Sequence, residues 1–382
     1  MSPALGYPDR VDDDPVALAA ALIGIESVNP SLDPSGSGEA AIAEFCAGWL
    51  AARGFEIERV GRTPARPSII ATRRGAGGGR TLLLNGHLDT VSLASPGQLD
   101  AVVSDGRLYG RGAYDTKGGV AALMVAASRA AGDLRGDLVV TLVADEEFGS
   151  HGTEDVLEHV NADAAIVTEP SGLELTLAHR GFAWFEVAII GRAAHGSMPE
   201  QGIDAIAQAG RVMAALDGLR ARLEARPRHP VLGHGTVRVA TIRGGVDAAT
   251  VADSCTLTVE RRFLPGETPD AVEAELRAAI DFAPGEAAVT TTRLVARGAF
   301  EASPDSPIVE MVARHAVAVL GAAVTRGEPF WTDAALLADA GIPSLVIGVD
   351  GGGAHADQEW ATTGSIQQLA EILQGTIAEF CS

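Results

Sequence analysis

Five residues of metal-binding type stand in five separate local contexts: His87 in Gly86-His87-Leu88-Asp89-Thr90, Asp115 in Tyr114-Asp115-Thr116-Lys117-Gly118-Gly119, Glu147 in Asp145-Glu146-Glu147, Glu169 in Thr168-Glu169-Pro170, and His355 in Gly353-Ala354-His355-Ala356-Asp357. Two imidazoles and three carboxylates suit a pair of zinc-like divalent ions, which take nitrogen and oxygen donors together. Such a set would serve metal-assisted hydrolysis. The cysteines offer no rival site. Cys46, Cys255 and Cys381 are odd in number and none lies in a Cys-x-x-Cys pair, so neither a disulfide framework nor a thiolate zinc site is expected. His151, His159, His179, His229, His234 and His315 have no ligand pattern around them and read as core or surface residues.

The elements that must position the five are legible as alternating helices and strands. Asp14 before Pro15 is an N-cap followed by proline at the first helical position, opening a helix to about Glu26. A second helix runs from about Glu39 and stops at Gly54. The apolar run Thr81-Leu82-Leu83-Leu84 is a buried strand that delivers His87 and Asp89 at its carboxyl end, two residues apart and facing the same way. A helix over 118–131 follows, then buried strands at Asp137–Ala144 and Ala164–Thr168. Most of the candidate ligands thus come just after a strand, where open α/β sheets bind their ligands. Gly118-Gly119 enters a helix closely but is no phosphate loop, because no Gly-Lys-Ser/Thr follows.

From about Ala178 the texture changes. Phe182–Ile190, Gly235–Arg243 and Ser254–Phe263 are longer, alternating strands separated by helices near 203–225 and 269–282. They predict an α+β insertion with an antiparallel sheet. Helices near 307–320 and 333–340, a strand at 344–347 and a last helix from about Thr363 resume the first pattern. His355 has to reach the same ions as His87, so the expected organisation is a catalytic domain in two parts, 1–177 and 297–382, around an inserted domain at 178–296.

With 382 residues, 47% of them hydrophobic, the chain is long enough for two cores and a cleft. A net charge of −21 argues against nucleic acid and anionic membranes as partners. Residues 1–10 carry no basic stretch followed by an apolar core, and 16–25 is too short to cross a bilayer, so a cytoplasmic protein is expected.

In order along the chain come Gly86-His87-Leu88-Asp89-Thr90-Val91, Gly110-Arg111-Gly112 through Gly119, Asp145-Glu146-Glu147-x-Gly149, Glu169-Pro170, Ala194-His195-Gly196-Ser197-x-Pro199-x-x-Gly202, Arg262-x-x-Pro265-Gly266-Glu267, Thr332-Asp333-Ala334 and Ala354-His355. This series resembles the M20 family of metallopeptidases, which includes acetylornithine deacetylases, succinyl-diaminopimelate desuccinylases, aminoacylases and glutamate carboxypeptidases. The resemblance runs from about Ala17 to the C-terminus. It implies a zinc-peptidase-like catalytic domain, a mixed sheet flanked by helices, with an inserted α+β lid through which the chain forms a homodimer. It further implies two divalent ions, zinc first with cobalt or manganese as alternatives. His87 and Glu169 would hold one, Glu147 and His355 the other, and Asp115 would bridge them.

By the same resemblance Asp89 would hold the His87 imidazole in its ligating tautomer, an arrangement common to metal-bound histidines. Glu146 would be the general base, since a metal-bound carboxylate cannot easily move protons while a free neighbour can. His195, on the lid and supplied by the partner subunit in relatives, would stabilise an oxyanion, and Arg262 would hold a substrate carboxylate with its planar fork. The implied activity is hydrolysis of N-acyl amino acids, small molecules with a free carboxylate. The alternatives are a carboxypeptidase or dipeptidase releasing a C-terminal amino acid, and a catalytically silent metal-binding homologue. Three features set this chain apart, the first being Tyr114, beside Asp115, where relatives usually have a small residue. Gly244–Asp253 offers alanines where many relatives have Asn and Pro, and Ala335 stands where deacetylases carry Arg, a form closer to the glutamate carboxypeptidases.

Overall fold

A computed structural model describes residues 13–130, 132, 134–281 and 285–382. Ala131 and Phe282, where two of the expected helices end, and the N-terminal stretch read for a leader lie outside the described residues. The chain divides into two compact units: Met1–Leu177 with Ala302–Arg326 and Thr332–Ser382, and Ala178–Glu301 with Gly327–Trp331.

The first unit is built on a mixed sheet whose strand order is Glu56–Val60, Ser68–Arg73, Leu138–Val143, Leu82–His87, Ala164–Val167, Ser344–Val346 and the start of Leu175–His179. The four from Leu138–Val143 to Ser344–Val346 are parallel, and antiparallel strands flank them on both sides. Successive residues of a strand face opposite sides, and the core divides accordingly. Ile69, Ala71, Leu138, Val140 and Leu142 join a large cluster with the helices Pro15–Ile23, Ala40–Ala51, Lys117–Ala130, Pro307–Leu320 and Thr363–Phe380. Ile70, Val139 and Val143 point the other way, onto Val156 of the helix His151–Leu157. Burial on both faces is why these strands read as unbroken apolar runs.

The first helix, Pro15–Ile23, is capped as its sequence predicts: Asp14 accepts the Val16 and Ala17 amides. A second small sheet, not anticipated, joins Val102–Ser104 and Arg107–Tyr109 to Trp360–Thr362 and Gly351–Gly352. Its last turn carries His355.

In the second unit the strands Thr236–Gly244, Ser254–Phe263, Gly181–Ile190 and Ala288–Arg297 form an antiparallel sheet in that order. The helices Ala205–Glu224 and Pro269–Asp281 cover one face. Phe185, Val187, Ile189, Leu257 and Val259 pack there against Val212, Leu216, Leu219 and Leu276. Gly327–Trp331 belongs to this unit because Trp331 anchors it: the indole N–H donates to Gly298 O at 2.9 Å and the ring meets Phe182 edge-on at 5.9 Å. The chain re-enters the first unit where the Ala302 amide donates to Leu177 O at 2.7 Å. Among the described residues no helix is long and apolar enough to cross a membrane.

Candidate metal centre and active site

Parallel strands in register end on one edge. His87 pairs with Val143, Asn85 with Val167 and Val346 with Val167, so the residues that follow these strands emerge side by side. His87 closes its strand, Glu146 and Glu147 lie on the turn after Val143, and Glu169 follows Val167. Asp115 precedes the helix Lys117–Ala130, which approaches the sheet closely: a Cβ on Gly86 would lie 3.0 Å from Val120 Cγ2, and one on Gly119 would lie 3.0 Å from Thr168 Cβ.

Asp115 lies between two imidazoles. Its Oδ1 is 3.1 Å from His87 Nε2 and its Oδ2 is 3.3 Å from His355 Nε2. Glu169 Oε1 stands 3.8 Å from His87 Nε2, and Glu147 Oε2 stands 3.1 Å from His355 Nε2. Two groups result, His87–Asp115–Glu169 and Asp115–Glu147–His355, with the ligand atoms of each within 4.8 Å of one another. Their donor set of imidazole and carboxylate is that of zinc, cobalt or manganese. Glu147 Oε1 is buried with no hydrogen-bond partner among the described residues, an arrangement that costs free energy unless a cation fills the gap. The residues present therefore fit a pair of divalent ions.

The electrostatics agree. Burial, reinforced by Glu169, pushes the Glu146 carboxyl well above its ordinary range, and burial with the nearby Asp115 and Asp333 charges does the same to Glu169. Burial opposes a charged His87, yet the Glu169 charge and the Asp115 hydrogen bond hold its pKa well up. Hydrogen bonds that His355 donates to the Asp115 and Glu147 carboxylates carry its pKa up to about 10. Burial also works against an ionised Asp115, but its bonds to both imidazoles keep it below the usual carboxylate range.

Asp89 does something other than the expected task. His87 Nδ1 donates to the Asp89 backbone carbonyl at 2.9 Å, whereas the nearest carboxylate oxygen is 3.7 Å away. The carboxylate instead accepts the amides of Glu146 and Glu147, each at 3.1 Å, and Asn29 Nδ2 at 2.8 Å. The strand leaves His87 with its own backbone as the nearest acceptor, and the side chain two residues on reaches the next turn. Asn29 also donates to Asp145 Oδ1 at 3.1 Å, and Arg66 pairs with Asp145 and with buried Glu39. Sequence reasoning missed Asn29, Glu39 and Arg66. Nothing marks them in the sequence, because their roles are bonds across long stretches of chain.

His195 and Arg262 belong to the second unit. His195 is exposed, and Ser197 Oγ engages its Nδ1 at 2.8 Å. Arg262 packs over the Phe182 ring and bonds Glu260 Oε1 at 2.5 Å. Arg261, the neighbour able in principle to do the same work, is fully buried against Glu267 and Glu275. The other histidines His151, His159, His229 and His315 each pair with a carboxylate.

Comparison with known proteins fits this geometry. The family model described as Peptidase family M20/M25/M40 matches residues 83–379. An acetylornithine deacetylase of Myxococcus xanthus is 31% identical over 360 residues, 89% of this chain and 92% of the relative. The N-formyl-4-amino-5-aminomethyl-2-methylpyrimidine deformylase of Bacillus subtilis is 26% identical, covering 96% and 94%. The crystal structure of an M20 family metallo-carboxypeptidase from Sulfolobus solfataricus superposes with a TM-score of 0.80 at 16% identity, over 97% of this chain and 99% of that one.

Proposed function

The chain belongs to peptidase family M20/M25/M40 and is an amidohydrolase of the metallopeptidase type; from that premise we propose that it is a dinuclear deacylase, cleaving the amide of N-acyl amino acids that carry a free carboxylate. The observation that carries this reading is Asp115 offering one oxygen toward His87 and the other toward His355. His87 and Glu169 would hold one ion, Glu147 and His355 the second, and Asp115 would be shared between them; zinc would suit the site first, cobalt or manganese next. When bound, the ions supply Lewis-acid polarisation of the amide carbonyl and a nucleophilic water at neutral pH.

The chain's own residues do the rest. Glu146 takes the proton from the attacking water and hands it to the leaving nitrogen, so that amide cleavage ends in a carboxylate and a free amine. Asp89 orients Glu146 through the two backbone amides it accepts. His195, with Nδ1 engaged by Ser197, has Nε2 left to meet a developing oxyanion, and does so in the active site of the partner within a homodimer formed through the second unit. Arg262 binds the substrate carboxylate. The protein works in the cytoplasm.

Relatives named as a deacetylase and a deformylase support the acyl-amide reading. One feature favours a second reading, a carboxypeptidase or dipeptidase: Thr332-Asp333-Ala334-Ala335 lacks the arginine of the deacetylase form. A panel of N-acetyl, N-succinyl and N-formyl amino acids and dipeptides, assayed with zinc-, cobalt- and manganese-loaded protein, separates the two. Turnover of N-acyl amino acids is expected. Cleavage confined to peptides establishes the second reading, and no cleavage of either by fully loaded protein leaves a binding homologue.

A further inference from the structure

His355 is the least supported of the five candidate ligands. Its side chain is 55% exposed, it sits in a turn closed by the Ala356 amide on Gly353 O, and its backbone is left-handed with φ of 62°. A left-handed non-glycine residue is disfavoured and persists where surrounding contacts hold it. Those contacts come from a buried side-chain cluster beneath the turn. Glu359 Oε1 accepts the Asp115 amide at 2.9 Å and the Tyr114 amide at 3.0 Å, while Oε2 pairs with Arg111 Nη1 at 2.7 Å. Arg111 Nη2 then donates to Ala356 O at 3.0 Å and Ser92 O at 3.2 Å. Gln98 Nε2 donates to Asp357 O at 2.9 Å and Ala356 O at 3.3 Å, and its Oε1 accepts the Ala94 amide.

Arg111 and Glu359 are each 2% exposed. A buried ion pair adds little stability over an apolar pair of the same volume, because desolvation offsets the attraction. What this pair does that an apolar pair could not is bond four backbone groups on three segments at once. We propose that Arg111, Glu359 and Gln98 are positioning residues that lock the His355 turn to the Asp115 loop, and so set the affinity of the Asp115–Glu147–His355 group for its ion; the inference rests on the two-ion reading above. His87 and Glu169 follow sheet strands and depend on the cluster only through Asp115. Loss of the cluster therefore weakens one ion more than the other.

The test is a visible-absorption titration of metal-free full-length protein with cobalt, backed by metal analysis after dialysis. Wild type takes two tight equivalents. Glu359→Gln keeps an oxygen for the two amides and removes the charge facing Arg111; Gln98→Met removes both bonds to the turn without stranding a charge. In each, the first equivalent binds as in wild type and the second binds ~10–100-fold more weakly, the usual cost of losing a group that orients ligands. Lost kcat returns at high cobalt, which a merely damaged fold would not show. A second equivalent of wild-type affinity in the folded variants, or equal weakening of both equivalents, overturns the inference while leaving two ions in wild type. A single equivalent in wild type overturns the two-ion reading and this inference with it. If Glu359→Gln does not fold, Gln98→Met decides alone.

Discussion

The position of Asp89 makes Asp89→Asn a sharp perturbation. The carboxylate accepts three buried donors: the Glu146 amide on Oδ1, and the Glu147 amide with Asn29 Nδ2 on Oδ2. An amide side chain keeps one oxygen, which best serves the two donors at Oδ2. Its NH2 then faces the Glu146 N–H, donor against donor. One buried donor left unpaired costs about 1–3 kcal/mol. If the turn relieves this by moving Glu146 away from the water it deprotonates, the same 1–3 kcal/mol appears in the barrier, a loss in kcat of roughly 5- to 150-fold. The His87 imidazole keeps its bond to the Asp89 carbonyl, so metal content should hold. Steady-state kinetics on the best substrate of the panel, alongside metal analysis, reads both quantities. Weakened metal binding with normal kcat in the saturated enzyme would refute this and place the carboxylate behind the imidazole after all. No change in either would leave it without a role.

Glu146→Gln should keep both metals and substrate affinity while kcat falls at least ~10²-fold, as general-base removal does; metal loss on analysis would move Glu146 among the ligands. Mixing inactive His195→Ala with inactive Glu146→Gln chains should restore activity through hybrid dimers that contain one complete site. Demonstrated subunit exchange without activity, or an active monomer on sedimentation, contradicts that arrangement. All three cysteines are buried, and burial raises the Cys46 thiol to about 12 and the Cys381 thiol to about 11. Native protein should therefore resist alkylation at pH 8 and yield three thiols when unfolded. Below the ordinary thiol pKa of 9.0 both states are protonated; as pH rises from there toward 12 only the unfolded chain ionises, so stability falls across that window, read by denaturant titration at stepped pH.

The parallel core was the most legible part of the fold. Leu82-Leu83-Leu84 and Leu138–Val143 are buried on both faces, and burial on both faces leaves an unbroken apolar run in the sequence. The edge strands were not read. Glu56–Val60 and Ala288–Arg297 are largely exposed, and Thr290-Thr291-Thr292 has no alternation to betray which side is covered. Gly327–Trp331 joins the second unit through the Trp331 indole on Gly298 O and the Arg180 amide on Glu328 O, contacts no periodicity foretells. At the site, the candidate ligands could be picked out because each has a distinctive context next to a strand end. Arg111, Glu359 and Asn29 act through several bonds at once between segments far apart in the chain, and the carbonyl of Asp89 does work that inspection of residue types assigns to its side chain.

The junction where Ala302 returns onto Leu177 has a consequence for how the protein can be rebuilt. Glu301 pairs with Ala178 in antiparallel register, so the chain leaves and re-enters the first unit at neighbouring positions. Directly opposed residues in such a pair are about 5 Å apart, a gap that a two-residue hairpin turn spans. Residues 179 to 300, the second unit without Gly327–Trp331, are in this sense a cassette with both ends at one socket. Recombination can exchange it for another insert, or for a tight turn, without threading a new path through the sheet that carries the candidate metal ligands.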